Sequence, residues 1–195
     1  MARPRKVTDE EIFAAVMRVM MRVGPADLTL AAIAGEAGVT PGLLVQRFGS
    51  KHALQVQLAE RSPAMSRDYL RELRAKHDSP LATIRAYVAC FADLAASPEA
   101  FARSLSYLTE DLSDPELRTH LERQSHATRR EIEALLAEAI TRGELKRSVN
   151  VKRLARTIEA VIGGSMITWA TYRVGKAATW MRKELDAVLE PYVRA

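Results

Sequence analysis

An all-α fold of about nine helices is what the sequence predicts, with a small N-terminal domain over residues 1–63 and a larger C-terminal one over 64–195. Three observations carry that expectation. Apolar residues recur at three- and four-residue spacing from end to end, no stretch alternates apolar and polar residues between hairpin turns, and Pro or Gly punctuates the periodic runs at helix-length intervals.

The first helix opens at Thr8-Asp9-Glu10-Glu11, where the Thr8 hydroxyl can accept from the Glu11 amide and the Glu11 carboxylate can reach back to Thr8. Ile12, Val16, Val19, Met20 and Val23 form its apolar stripe, and Gly24-Pro25 ends it, with Gly24 expected in the left-handed cap. A second, shorter helix follows Thr29, placing Leu30, Ile33, Ala34 and Ala37 on one face before Gly38. Thr40 then caps a third helix whose first position is Pro41, where a missing amide costs nothing. Leu44 and Phe48 point inward at four-residue spacing, and Gly49-Ser50 closes this helix and caps a fourth from Lys51. The fourth kinks or restarts at Ser62-Pro63, the expected domain boundary. Later helices are expected at about 64–77, 81–96, 99–109, 115–142, 151–174 and 178–193, separated by Ser79-Pro80, Ser97-Pro98, Ser113-Asp114-Pro115, Gly143 and Gly175. Ser113 with Glu116 reads as a second capping box.

Composition narrows the function. The 195 residues are 48% hydrophobic and 27% charged, a globular rather than disordered mix. Lys and Arg outnumber Asp and Glu by 29 to 24, an excess compatible with a polyanionic partner. Arg3, Arg5 and Lys6 concentrate part of it at the N-terminus. A single cysteine, Cys90, excludes an internal disulfide and fits a reducing cytoplasm, and between Tyr87 and Phe91 it reads as a buried thiol. The N-terminus lacks the apolar segment of a signal peptide. The longest apolar stretch, 161–170, is broken by Gly163, Gly164, Ser165 and Thr168, so no membrane segment is expected. His52, His77, His120 and His126 have neither pairing nor cysteine companions that suit a metal, and no nucleophile motif or phosphate loop points to an enzyme. No cofactor is expected.

The informative region is 30–44. Ala34, Gly38 and Leu44 fall at helix-turn-helix spacing: a small residue where two helices cross, a glycine where the turn needs positive φ, and a leucine that plugs the second helix into the core. The stretch Leu28-Thr29-Leu30-Ala31-Ala32-Ile33-Ala34-Gly35-Glu36-Ala37-Gly38-Val39-Thr40-Pro41-Gly42-Leu43-Leu44 runs on into Phe48-Gly49-Ser50-Lys51. Over roughly residues 8–58 this resembles the TetR family of repressors.

That resemblance implies a helix-turn-helix DNA-binding domain followed by a ligand-binding and dimerisation domain. The third helix then lies in the major groove of double-stranded operator DNA, with Thr40, Pro41, Gly42, Leu43, Val45, Gln46 and Arg47 as candidate contacts. Gln46 suits bidentate readout of adenine, and Arg47 suits guanine or phosphate. Thr29 and Lys51 match positions that hold the DNA backbone, and Arg3, Arg5 and Lys6 are candidates for the minor groove or phosphates. Val45 departs from the family pattern, which usually has a tyrosine that packs on the sugar-phosphate backbone.

Beyond residue 64 the resemblance is architectural. Tyr69, Tyr87, Phe91, Phe101, Leu105, Tyr107, Met166 and Trp169 are candidate lining for a small apolar or amphipathic effector, against the alternative of ordinary core. The helix at 151–174 is apolar nearly all round, which implies burial on two sides. The resemblance makes one of those sides a homodimer interface, with Ile158, Val161, Ile162, Gly164, Ser165, Leu185 and Leu189 as candidates. The expected mechanism is a cytoplasmic repressor dimer with recognition helices roughly 34 to 36 Å apart on a palindrome, released when an effector changes its geometry through the fourth helix, with Pro63 as a candidate hinge. The rival readings are a regulator of the same fold without an effector, and a helical protein-interaction or ligand-carrier module whose DNA-binding face has decayed.

Overall fold

The computed structural model describes residues 7–93 and 96–194, so Arg3, Arg5 and Lys6 lie outside the described residues. Nine α-helices follow one another among them: α1 (Asp9–Arg22), α2 (Leu30–Ala37), α3 (Pro41–Phe48), α4 (Lys51–Lys76), α5 (Pro80–Asp93), α6 (Pro98–Ser113), α7 (Pro115–Thr141), α8 (Val151–Tyr172) and α9 (Ala177–Leu189). Single 3₁₀ turns occupy Pro25–Asp27 and Glu190–Tyr192.

Local chemistry explains most of these boundaries. Both bonds of the Thr8–Glu11 capping box are made, at 3.2 Å from the Glu11 amide to Thr8 Oγ1 and 2.9 Å from the Thr8 amide to Glu11 Oε2. Thr29, Thr40, Ser50, Ser79, Ser97 and Asn150 each accept an amide three residues on, which satisfies one of the orphan donors at a helix start. Several expectations need correction, among them the end of α6, which runs to Ser113, four residues past the expected one. Gly24 has φ −78° and opens the 3₁₀ turn instead of capping α1 left-handed. The cap of α7 is Asp114, whose Oδ1 accepts from the Glu116 and Leu117 amides at 2.9 and 3.0 Å, while the Ser113 hydroxyl donates back to Thr109 O. A carboxylate beats a hydroxyl there because it carries full charge toward the positive end of the helix. The fourth helix runs through Pro63 without restarting, since Leu54 and Leu58 before it and Leu70 and Leu73 after it are all buried, and that burial outweighs one lost backbone bond. The last helix stops at Leu189, four residues short of the expected end, where Pro191 follows in a 3₁₀ turn.

The chain packs as two compact units, each with its own core. The first, here called the head, takes the residues up to Arg61 together with Ala102–Leu121; the second, the body, takes Ser62–Phe101 and the residues from Glu122 on. In the head, Ile12, Phe13, Val16, Val19, Leu28, Ile33, Ala34, Leu44, Phe48, Leu54 and Leu58 form the core. Tyr107 of α6 joins them and donates its hydroxyl to Val23 O at 3.0 Å, closing the C-terminal end of α1. In the body, α9 packs against both α5 and α8 around Ile84, Val88, Ile132, Leu136, Ile158, Met181 and Leu185. A single antiparallel bridge, Leu145 to Val193, ties the α7–α8 turn to the C-terminal segment through the Lys146 amide on Tyr192 O (2.9 Å) and the Arg194 amide on Glu144 O (3.1 Å). Among the described residues no helix is long and apolar enough to cross a membrane.

Two tests follow from this packing. Gly35 sits inside α2 with open space where a Cβ would go, so Gly35→Ala raises stability by about 0.5–1 kcal/mol through reduced chain entropy. Gly38 has equally open surroundings but φ +68°, so Gly38→Ala costs about 1–2 kcal/mol; opposite shifts in thermal unfolding midpoint check both. Burial, aided by the nearby charges of Glu110 and Asp27, pushes the Tyr107 phenol up to about 12, and burial does the same to Tyr87, opposed by a hydrogen bond with Thr128. Both groups ionise more readily once unfolded, so the stability tied to their neutral forms is complete below pH 10 and is lost between pH 10 and 12. Chemical denaturation across that window shows a fall that Tyr107→Phe and Tyr87→Phe each reduce.

Candidate nucleic-acid interface

Helix α3 is only eight residues long, so fixing two of its side chains fixes the rest. Leu44 is fully buried, and Phe48 meets Phe13 edge-on at 5.8 Å between ring centroids. At 100° per residue, Leu43 and Arg47 then share one flank of the helix, and Gly42, Val45 and Gln46 share the opposite side.

The two flanks have different fates. Leu43 is half-buried against the head core. Arg47 turns toward α1, donating to Val7 O at 2.7 Å and pairing with the Asp9 carboxylate, and its guanidinium also lies 5.8 Å from the centre of the Phe48 ring. Of the residues expected to meet bases, these two are therefore engaged within the head. Pro41, Gly42, Val45 and Gln46 are exposed, with Val45 at 49%, and Arg47 is exposed too despite its ion pair.

Three helix starts surround that exposed face in sequence. The Thr29 and Thr40 hydroxyls accept the Ala32 and Leu43 amides at 3.1 and 3.3 Å, which leaves the hydroxyl protons free to donate outward. Lys51 opens α4 half-buried, its Nζ 3.4 Å from Pro25 O, at the outer edge of hydrogen-bond range. One carbonyl leaves most of the donor capacity of that ammonium for an anion, and the first turn of a helix favours negative charge.

The helix pair is locked from behind by charge. Glu36 of α2 receives Arg18 Nε at 2.6 Å and Arg22 Nη2 at 2.5 Å from α1, and the two guanidinium groups hold its carboxyl below the usual range. His52, the second residue of α4, meets Asp114 Oδ2 at 3.0 Å, so the start of α4 is tied to the cap of α7. The bracing contacts made by Asp9, Glu36, Tyr107 and Asp114 are what sequence reading missed in this head. Their partners lie 14 to 84 positions away, and no local pattern signals such a pairing.

The candidate effector and interface residues separate in the same way. Tyr107 belongs to the head core and Leu105 lies in the same unit, whereas the other candidate lining residues belong to the body. Tyr69, Tyr87 and Phe91 form an aromatic run in the body with centroid spacings of 6.4 and 5.2 Å. Met166 and Trp169 are buried there, Phe101 packs against the same core, and the Trp169 indole donates to Gly175 O at 3.1 Å. Of the expected dimer contacts, Ile158, Ser165, Leu185 and Leu189 are buried inside their own protomer, Ile158, Leu185 and Leu189 as part of the body core. Val161 and Ile162 are half-buried, and Gly164 is exposed together with Gly163, Ile167 and Thr168. Among the described residues no cluster of His, Cys, Asp or Glu is placed to hold a metal.

A compact helical head with an exposed second helix of a helix-turn-helix, flanked by capped helix starts and a lysine, defines a DNA-binding transcription regulator. Residues 12–58 match the family model described as bacterial regulatory proteins, tetR family, and residues 106–185 match the one described as tetracyclin repressor-like, C-terminal domain. The chain belongs to the TetR family of transcription regulators. No curated protein matches it in sequence. Its fold is similar to that of a TetR transcription regulator from Haloarcula marismortui (TM-score 0.75, 17% identity, 95% of this chain and 98% of that one). It is also similar to SmeT, the repressor of the Stenotrophomonas maltophilia multidrug efflux pump SmeDEF (0.68, 23%, 97% and 92%), and to the transcriptional regulator FadR of Bacillus subtilis in complex with stearoyl-CoA (0.69, 19%, 93% and 97%).

The Asp9–Arg47 pair holds the base of α1 to α3. A double-mutant cycle of Asp9→Ala and Arg47→Ala in urea is expected to give a coupling of up to about 1 kcal/mol, the range of a partly exposed ion pair. Additive single-variant effects would show that the pair contributes nothing.

Proposed function

We propose that this regulator is a repressor that binds a palindromic operator as a homodimer, one α3 per major groove, and that a small apolar or amphipathic effector held by the body weakens that grip. The observation that carries the DNA half is the exposed face of Pro41, Gly42, Val45 and Gln46, with Thr29, Thr40 and Lys51 at the neighbouring helix starts. Gln46 is the readout residue in this proposal, since its amide offers adenine a donor and an acceptor together. Val45 supplies apolar contact to a thymine methyl, which a tyrosine at that position does not require. Thr29, Thr40 and Lys51 position the head on phosphates. Arg47 acts at one remove, by holding α3 to α1.

Repression draws support from the similarity to SmeT, and an effector from the similarity to a regulator crystallised with stearoyl-CoA. The body adds its own support. The Tyr69–Tyr87–Phe91 run offers aromatic faces, and the buried Ser165 hydroxyl finds no hydrogen-bond partner, a cost that a polar group on a bound ligand would relieve. For the dimer, the exposed Gly163, Gly164, Ile167 and Thr168 give α8 a face on which a second helix can approach closely. The effector acts by contacts that differ between two states, and a coupling of about 1–3 kcal/mol suffices.

Selection of bound duplexes from a random pool tests the DNA half, with enrichment of an inverted repeat as the expected result. On the selected duplex, Lys51→Ala weakens binding to all sequences alike and lowers the salt slope by about one, whereas Gln46→Ala costs about 1–3 kcal/mol at one base pair and relaxes preference there. Enrichment without symmetry would refute the dimeric operator, and titration of acyl and aromatic compounds into the complex without any release would refute the effector.

A further inference from the structure

The body carries a second basic site, far along the chain from α3. Its frame is the Leu145–Val193 bridge, which sets Lys146 and Arg147 of the α7–α8 turn beside Arg194 of the C-terminal segment. Lys146, Arg147 and Arg194 line a groove of about 390 Å³. Arg194 also lines a second groove, of about 740 Å³, with Arg85, Lys183, Asp186, Ala187, Glu190 and Val193. Arg194 lines both grooves, so they adjoin at that residue, and their sizes fall in the range of small-molecule sites.

The charges there do not cancel. Arg85 is used by Asp186, at 2.8 Å. Lys146 donates to Pro191 O at 2.8 Å, a carbonyl, and pairs with no carboxylate among the described residues. Among the described lining residues, Lys146, Arg147, Lys183 and Arg194 stand against Glu190, an excess of three positive charges. Two of the four cations are arginines, whose planar forks fit phosphate oxygens in pairs. Ala187 and Val193 interrupt the charge with apolar surface in the larger groove.

We infer that these joined grooves bind an organic polyphosphate, its phosphates on Arg147, Arg194 and Lys183 and its apolar or aromatic part on Ala187 and Val193. Arg147 lines only the smaller groove and Lys183 only the larger, with Arg194 on both, and cations distributed in this way favour a chain of phosphates over a single anion. The apolar strip favours an organic ligand over an inorganic one. None of these residues belongs to the candidate DNA interface.

Calorimetric titration of the full-length protein at low salt, with ATP and inorganic triphosphate as probes, tests this. ATP is expected to bind, inorganic triphosphate to bind more weakly, and the double variant Arg147→Gln/Arg194→Gln to lose at least tenfold in affinity for both. The double variant keeps wild-type affinity for duplex DNA, which also reports that it is folded, and Lys51→Gln keeps wild-type affinity for ATP. Lys183→Gln, altered in the larger groove only, separately weakens ATP. Absence of binding by either probe, wild-type affinity in the double variant, or loss of ATP binding in Lys51→Gln would each overturn the assignment.

Discussion

The burial of Leu44 and Phe48 is the constraint on which the head depends. An eight-residue helix forms few backbone bonds of its own and is marginal in isolation, so α3 exists because those two side chains are held by α1 and α2. Removing each from water is worth about 1.5–3 kcal/mol, comparable to the whole intrinsic stability such a short helix lacks. The same anchoring decides orientation. With two positions four residues apart fixed inward, the helix has no rotational freedom left, and the side chains offered to solvent follow from the 100° step.

Polar interactions then refine what the core has fixed. Glu36 clamps α2 to α1 through two arginines, and Arg47 clamps α3 to α1 through Asp9 and Val7. Exposed pairs of this kind add little stability singly. Their value is geometric, because each closes a different side of the helix-turn-helix and limits how far it can rock against α1. A regulator that reads base edges needs that rigidity, since a bidentate amide contact tolerates little displacement. Tyr107 and Asp114 extend the same frame with residues from α6 and α7, far along the chain from the motif they support.

Surface cations in this protein serve different ends according to what stands near them. Arg47 pairs with the Asp9 carboxylate, whereas among the described residues the Lys51 ammonium meets the Pro25 carbonyl. The same distinction separates Arg85, neutralised by Asp186, from Arg147 and Arg194 around the bridge at Leu145 and Val193. Net charge alone does not reveal which basic residues are available, and pairing does.

Helix positions, their caps and the helix-turn-helix were legible in the sequence because each rests on chemistry within three or four residues: Thr8 with Glu11, Thr40 with Pro41, Gly38 at its positive φ. The same local reach explains why Leu44 and Phe48 could be read as inward. Asp114 replacing Ser113 as a cap, and α4 continuing through Pro63, were contests between neighbouring signals that only packing and charge in three dimensions could resolve. Which apolar residues of α8 and α9 are spent inside the protomer, which aromatics belong to the head and which to the body, and which arginine has an acidic partner were decided by tertiary structure alone. Periodicity tells how many faces of a helix are apolar, but what covers each face depends on residues scores of positions away.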